Sequence, residues 1–173
     1  MTTISKQQKA RRIEVFRALQ TFVSDDPTRG ALCRVYVSNA GKTLEATNGL
    51  TGVRVVFEAA ETMDLATGFF LPKDAMAKLK ADAAPQPVTT SYTFPDLLSA
   101  IPFDGDGKAE SREVGIDPAL FGRFMVAMGA FADDGQGVKV TWGVNDSTPI
   151  RVDATAHDCH AVGVCMPMRL PGK

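Results

Sequence analysis

Cysteine is scarce in this chain: Cys33, Cys159 and Cys165 are three in 173 residues, an odd number without paired spacing. A disulfide framework is excluded, and reduced thiols in a cytoplasm are expected. Trp and Tyr are few, one and two, and as lone aromatics Trp142 and Tyr36 do not make a platform on which unpaired bases could stack. Neither sign of charge is in excess, with 19 Lys and Arg against 20 Asp and Glu. That balance excludes a polybasic tail or a cationic nucleic-acid binder overall, but not a local basic face. No apolar run is long enough to cross a membrane, and residues 1–12 are polar and basic without the apolar core of a secretory signal. Nucleotide-binding, serine-hydrolase and zincin patterns are missing, and Cys33 falls in a predicted strand, so no nucleophile stands out. Asp104-Gly105-Asp106-Gly107 lacks the spacing and terminal Glu of a calcium loop.

The hydrophobic share, 45%, is that of a globular domain, and the length suits one domain or two small half-domains. Ser5 with Gln8 forms a capping-box pattern, and Ile13, Phe16, Leu19 and Val23 recur at helical spacing, with Pro27 and Gly30 expected to close the helix. Strands are predicted over 31–38, 43–47 and 51–58, with Asn48-Gly49 as a strong turn signal between the last two. Gly68 to Leu71 then reads as a strand running into a short helix over 73–80, and 88–93 as a further strand. Asp117-Pro118 opens a helix whose apolar face holds Leu120, Phe121, Phe124, Met125 and Met128. Strands over 138–143, 149–153 and 161–168 complete the pattern, the last extending toward Leu170, while Trp142 and Tyr36 read as core or cross-strand packing. The fold class expected is α+β: two pseudo-repeated halves of a helix and an antiparallel meander, about 1–60 and 113–170, around a strand–helix insertion and linker at about 61–112.

Three groups of residues could carry chemistry. Lys6, Lys9, Arg11, Arg12 and Arg17 on the first helix, with Lys73, Lys78 and Lys80 on the second, gather eight of the 19 basic residues into two brief segments. They read either as solvated helix faces or as a surface for phosphates. His157-Asp158-Cys159-His160 packs metal-ligand types into four residues, but zinc usually draws ligands from two separated elements, and a polar hairpin turn explains the run as well. The third is Val164-Cys165-Met166-Pro167-Met168-Arg169-Leu170. Proline cannot donate to a ladder, and Met on both sides offers adaptable apolar surface.

Four segments resemble the bacterial sliding clamps, the β subunit of DNA polymerase III, in the family's order over about residues 31–170. Ala46-Thr47-Asn48-Gly49 is similar to the Ala-Thr-Asp-Gly turn, with Asn where Asp is usual. Phe69-Phe70-Leu71-Pro72-Lys73 is similar to the Val-Pro-Ala-Lys segment that opens a helix. The stretch Phe94-Pro95-Asp96-Leu97-Leu98-Ser99-Ala100-Ile101-Pro102 resembles the Phe-Pro-Asp-Tyr and Ile-Pro linker, and Met166-Pro167-Met168-Arg169-Leu170 the C-terminal strand. The His-Arg-Leu that follows the family's turn is replaced here by Leu50-Thr51-Gly52.

The resemblance implies a non-enzymatic processivity factor for DNA replication, without cofactor or metal. Its helices would face duplex DNA without reading sequence, through Lys6, Lys9, Arg12, Arg17, Lys73, Lys78 and Lys80. Its peptide groove would recruit a polymerase or another replication protein by a short linear motif, using Thr47, Gly49, Pro102, Val164, Met166, Pro167, Met168 and Arg169. A bacterial clamp subunit has three domains and two subunits close the ring, so a ring from a one-domain chain implies a homo-oligomer of about six copies or a mixed assembly. The reduced size suggests a bacteriophage or mobile-element version. The alternatives are a monomeric adaptor or decoy that binds clamp-motif peptides or a host clamp without encircling DNA, and a metal-dependent enzyme built on His157, Asp158, Cys159 and His160.

Overall fold

The computed structural model describes residues 5–59, 63–100, 115–142 and 148–168, with backbone alone at Leu98 and Ala100. The capping box closes at the first helix, α1 (Lys6–Gln20): Gln8 N–H donates to Ser5 Oγ and Ser5 N–H to the Gln8 side chain, both at 3.1 Å. Helical periodicity then buries Val15, Phe16 and Leu19. The helix ends earlier than Pro27. A 3-10 segment (Pro27–Cys33) occupies the first half of the expected strand, because Asp26 accepts from Thr28 N–H at 2.9 Å and Pro27 supplies a helical φ. Local side-chain-to-backbone bonding thus overrides the alternation there, so Cys33 is not in a strand and β1 is only Val35–Ser38.

The remaining elements are β2 (Thr43–Thr47), β3 (Thr51–Phe57), β4 (Gly68–Phe70), α2 (Pro72–Lys80), α3 (Leu97–Ala100), α4 (Pro118–Gly129), β5 (Lys139–Thr141), β6 (Ile150–Ala156) and β7 (Cys159–Cys165). The strands among the described residues form one antiparallel sheet in the order β4-β1-β2-β3-β7-β6-β5. The meanders β1–β3 and β5–β7 therefore meet at the central β3–β7 ladder, from Thr51↔Cys165 at one end to Phe57↔Cys159 at the other. Of the expected strand over 88–93, only Val88 pairs, as a bridge to Phe69. The loop at 104–107 and residues 113–114 and 143 lie outside the described residues.

One sheet face is apolar and takes the helices. Val37, Leu44, Val55, Ala161 and Ala154 succeed one another across the ladders, all buried, and pack with Phe16, Leu19, Phe124 and Met128. Gly163 permits this contact, since a Cβ there would lie 2.6 Å from Met128 Sδ and 2.9 Å from Phe124. The N-terminus of α4 is held by Asp117, whose Oδ1 accepts from Ala119 and Leu120 N–H at 2.9 and 3.0 Å. The opposite face carries charge pairs and the segment leading to α3. There Phe94 stacks on Tyr36 with ring centroids 5.5 Å apart, Phe69 lies 5.0 Å from Tyr36 and 6.3 Å from Phe94, and Leu97 lies over Gly52. Trp142 is not core: it is half exposed and stacks on Phe121 of α4.

Candidate peptide groove and arginine cleft

The turn between β2 and β3 is built by its own side chains. Thr47 Oγ donates to the Thr51 carbonyl at 2.8 Å and accepts from Gly49 N–H at 3.1 Å. Asn48 Oδ1 accepts from Leu50 and Thr51 N–H, both at 2.9 Å. Gly49 has φ +90°, which explains glycine at the bend. With its polar side chains bonded within the turn, the Leu50 side chain is left outside, 57% exposed.

The Met-Pro-Met segment comes to this turn from the other direction. The regular strand ends at Cys165, short of the expected extension toward Leu170, but Met166 N–H still donates to the Leu50 carbonyl at 2.8 Å. Pro167 has no N–H, and Met168 then turns its own to Gly115 at 2.9 Å. The side chains of Met166 and Met168 are 42% and 51% exposed, while Val164 is buried. The structure thus brings Thr47, Gly49, Val164, Met166, Pro167 and Met168 into one region of a single chain. Pro102 and Arg169 lie outside the described residues.

Leu50 also walls a cleft of about 540 Å³ on the helix side of the turn. The C-terminal half of α1 contributes Arg17, the 3-10 segment Arg29, and α4 Leu120, Arg123 and the edge of Phe124. Arg29 donates to the Asn48 carbonyl at 2.7 Å and Arg123 to that of Ala119 at 3.2 Å, which orients both side chains. The Asn48-Gly49 turn signal pointed toward Leu50, but no sequence pattern pointed to Arg29, whose partner is 19 residues away.

The basic residues assigned to DNA do not share one environment. Arg12 is 4% exposed and stands on the buried stripe of α1 with Val15, Phe16 and Leu19, so it does not face out. Helical spacing explains the correction: positions 12, 15, 16 and 19 fall on one face. Burial lowers the Arg12 pKa, with Asp64 partly offsetting it. Lys9 is half-buried and reaches Asp82 at 2.6 Å and the Lys80 carbonyl at 3.1 Å, tying α1 to the end of α2. Lys6, Arg17, Lys73, Lys78 and Lys80 are exposed.

The His157-to-His160 run is split by the fold. His157 and Asp158 form the two-residue turn between β6 and β7, while Cys159 and His160 begin β7. Asp158 receives Arg11 on both oxygens, Nε at 2.9 Å and an outer nitrogen at 2.8 Å, and Arg11 also donates to the Ala130 carbonyl at 2.7 Å. Burial works against the Asp158 charge, yet the Arg11 hydrogen bonds and charge together hold its pKa below the usual carboxylate range. Burial pushes the Cys159 thiol up to about 12, with the Asp158 charge acting in the same direction, so it is not a nucleophile at neutral pH. His157 contacts Asp133 at 3.1 Å, and His160 is nearest Asp153, at 3.7 Å on the other face. Among the described residues no three His, Cys, Asp or Glu side chains are grouped to hold a metal.

No family model matches the chain, and no curated protein matches it in sequence. Among solved structures it is similar to the DNA polymerase III subunit beta of Borrelia burgdorferi, with a TM-score of 0.43 and 12% sequence identity. The overlap covers 96% of this chain, which spans 62% of the length of that one.

Proposed function

We propose that this chain is a non-enzymatic, clamp-like processivity factor. It docks a short linear motif of a polymerase or another replication protein on Leu50, Met166 and Met168, and oligomerises around duplex DNA. The observation that carries the reading is the Met166 N–H bond to the Leu50 carbonyl. It joins the residue that follows the clamp-like turn at 46–49 to Met166, the first residue of the clamp-like C-terminal segment. An apolar surface whose backbone needs are already met suits Leu and aromatic anchors of an extended peptide. The two meanders related through the β3–β7 ladder fit the proposed pseudo-repeat, with halves at about 1–60 and 113–170 around the insertion. For DNA, the exposed Lys6, Lys73, Lys78 and Lys80 on α1 and α2 remain the candidates, with Lys9 beside them; Arg12 is dropped because it is buried, and the exposed Arg17 is set apart because it lines the cleft at the turn.

The test is a titration of a labelled peptide carrying adjacent Leu and Phe anchors. Met166→Ala with Met168→Ala should weaken binding by at least about tenfold, the effect of losing two apolar anchors, with folding unchanged. Unaltered affinity would remove the groove. Light scattering on the same sample separates ring from adaptor, since a stable monomer at micromolar concentration would leave only the adaptor.

A further inference from the structure

We infer that the arginine cleft selects the partner: the motif docking beside Leu50 carries acidic side chains next to its apolar anchors. This rests on the groove reading above and adds the chemistry of the occupant. Arg17, Arg29 and Arg123 come from three separate elements to one concavity, against the single carboxylate of Asp25 among the residues that line it. A chain whose charge is balanced overall therefore concentrates like charge at this point. Two of the guanidinium groups are already oriented by carbonyls, Arg29 by Asn48 and Arg123 by Ala119, and their remaining N–H groups can still pair with a carboxylate. Asp26, whose charge acts on Arg29, turns its Oδ1 to Thr28 N–H and hydroxyl at 2.9 and 2.7 Å, and Asp117 turns its oxygen into the first turn of α4, so both carboxylates are engaged within their own turns.

The cleft walls decide between a carboxylate and a phosphate backbone. Leu50, Leu120 and Val23, none of them fully buried, line the same concavity as the arginines. Apolar side chains of a peptide can cover those walls while adjacent Asp or Glu reach the rim. A sugar–phosphate chain offers them nothing apolar to bury. Leu50 is shared by the cleft and the Met166 segment, so one extended peptide can engage both. The arginines then set on-rate and selectivity, and the apolar contacts most of the affinity.

The experiment compares two labelled peptides with the same Leu and Phe anchors, one flanked by two Asp and the other by two Asn, titrated with the full chain. The acidic peptide should bind about five- to tenfold more tightly at about 50 mM salt, and the gap should close toward about 0.5 M, where screening is strong. Arg17→Gln with Arg123→Gln should bring the two affinities together while leaving the Asn peptide unchanged. Both are exposed helix positions, so the fold is expected to survive; Arg29 is kept because it holds the turn. Equal binding of both peptides to the unaltered chain would overturn the inference and leave the groove standing. If neither binds, the groove reading fails and this one with it. An acidic peptide without anchors that binds equally well, or a duplex oligonucleotide that displaces the acidic peptide through Arg17 and Arg123, would also overturn it.

Discussion

The two ends of the central β3–β7 ladder are finished in opposite ways. At the Phe57↔Cys159 end, the β6–β7 turn is locked by Arg11, which joins Asp158 and the Ala130 carbonyl and so ties α1, α4 and the hairpin together. At the Thr51↔Cys165 end, the Thr47 and Asn48 side chains bond within the turn, its Asn48 and Leu50 carbonyls accept from Arg29 and Met166, and Leu50, Met166 and Met168 remain exposed. A hairpin end that spends its polar groups on long-range contacts becomes structural. One whose polar side chains bond within the turn can offer an apolar surface to something else.

The largest effect is expected at the locked end. Arg11→Met leaves the half-buried Asp158 charge without its partner and should cost about 2–4 kcal/mol in denaturant unfolding. Peptide binding by the folded fraction should be unchanged; a loss of binding at equal folding would mean the two ends are coupled. Next comes the middle of the ladder. Gly163→Ala places a methyl against Met128 and Phe124, which should cost about 1–3 kcal/mol by overpacking. A neutral result would show that α4 can shift away from β7.

Two of the arginine–carboxylate pairs, Arg11–Asp158 and Arg54–Glu45, sharpen the comparison through pH. Asp158 has a lowered pKa, so its contribution is present above the unfolded value, about 4, and is lost as pH falls through the folded value. Glu45, held by a single Arg54 contact at 3.0 Å, is shifted the other way, because burial outweighs the arginine. Its contribution is greatest below the unfolded value and is lost as pH rises through the folded one. Stability measured from pH 7 to pH 3 should therefore fall less steeply in Asp158→Asn than in the unaltered chain, and more steeply in Glu45→Gln. Identical slopes in all three would refute the assignment. The smallest stability change, within about 0.5 kcal/mol, is expected for Met166→Ala with Met168→Ala, although that pair should have the largest effect on peptide binding.

Much of the fold was legible because its signals are short-range. The Ser5–Gln8 cap, the Asp117-Pro118 helix start, the bounds of β2 and the Asn48-Gly49 turn all rest on contacts within a few residues. The misreadings have equally specific causes. Alternation over 31–34 suggested a strand, but Asp26 and Pro27 had already committed the chain to a 3-10 segment. Val88 to Thr93 has strand-like composition, yet finds only one bridge, because the segment crosses the outer sheet face instead of extending its edge. Arg12 was grouped with its basic neighbours by residue type, whereas its place on the helix circumference buries it.

The candidate site was legible only in pieces. By itself the sequence determined the turn at 47–51, the Met-Pro-Met segment, the balanced charge and the absence of paired cysteines, since these follow from residue identity and local bonding. Tertiary structure alone decided that Leu50 meets Met166 and that Arg17, Arg29 and Arg123 share a cleft. It likewise decided that Arg11 finds Asp158 across 147 residues. Local geometry specifies each hairpin. The β3–β7 pairing that brings their ends together depends on burying two apolar strands under α1 and α4, and no short stretch of residues encodes that.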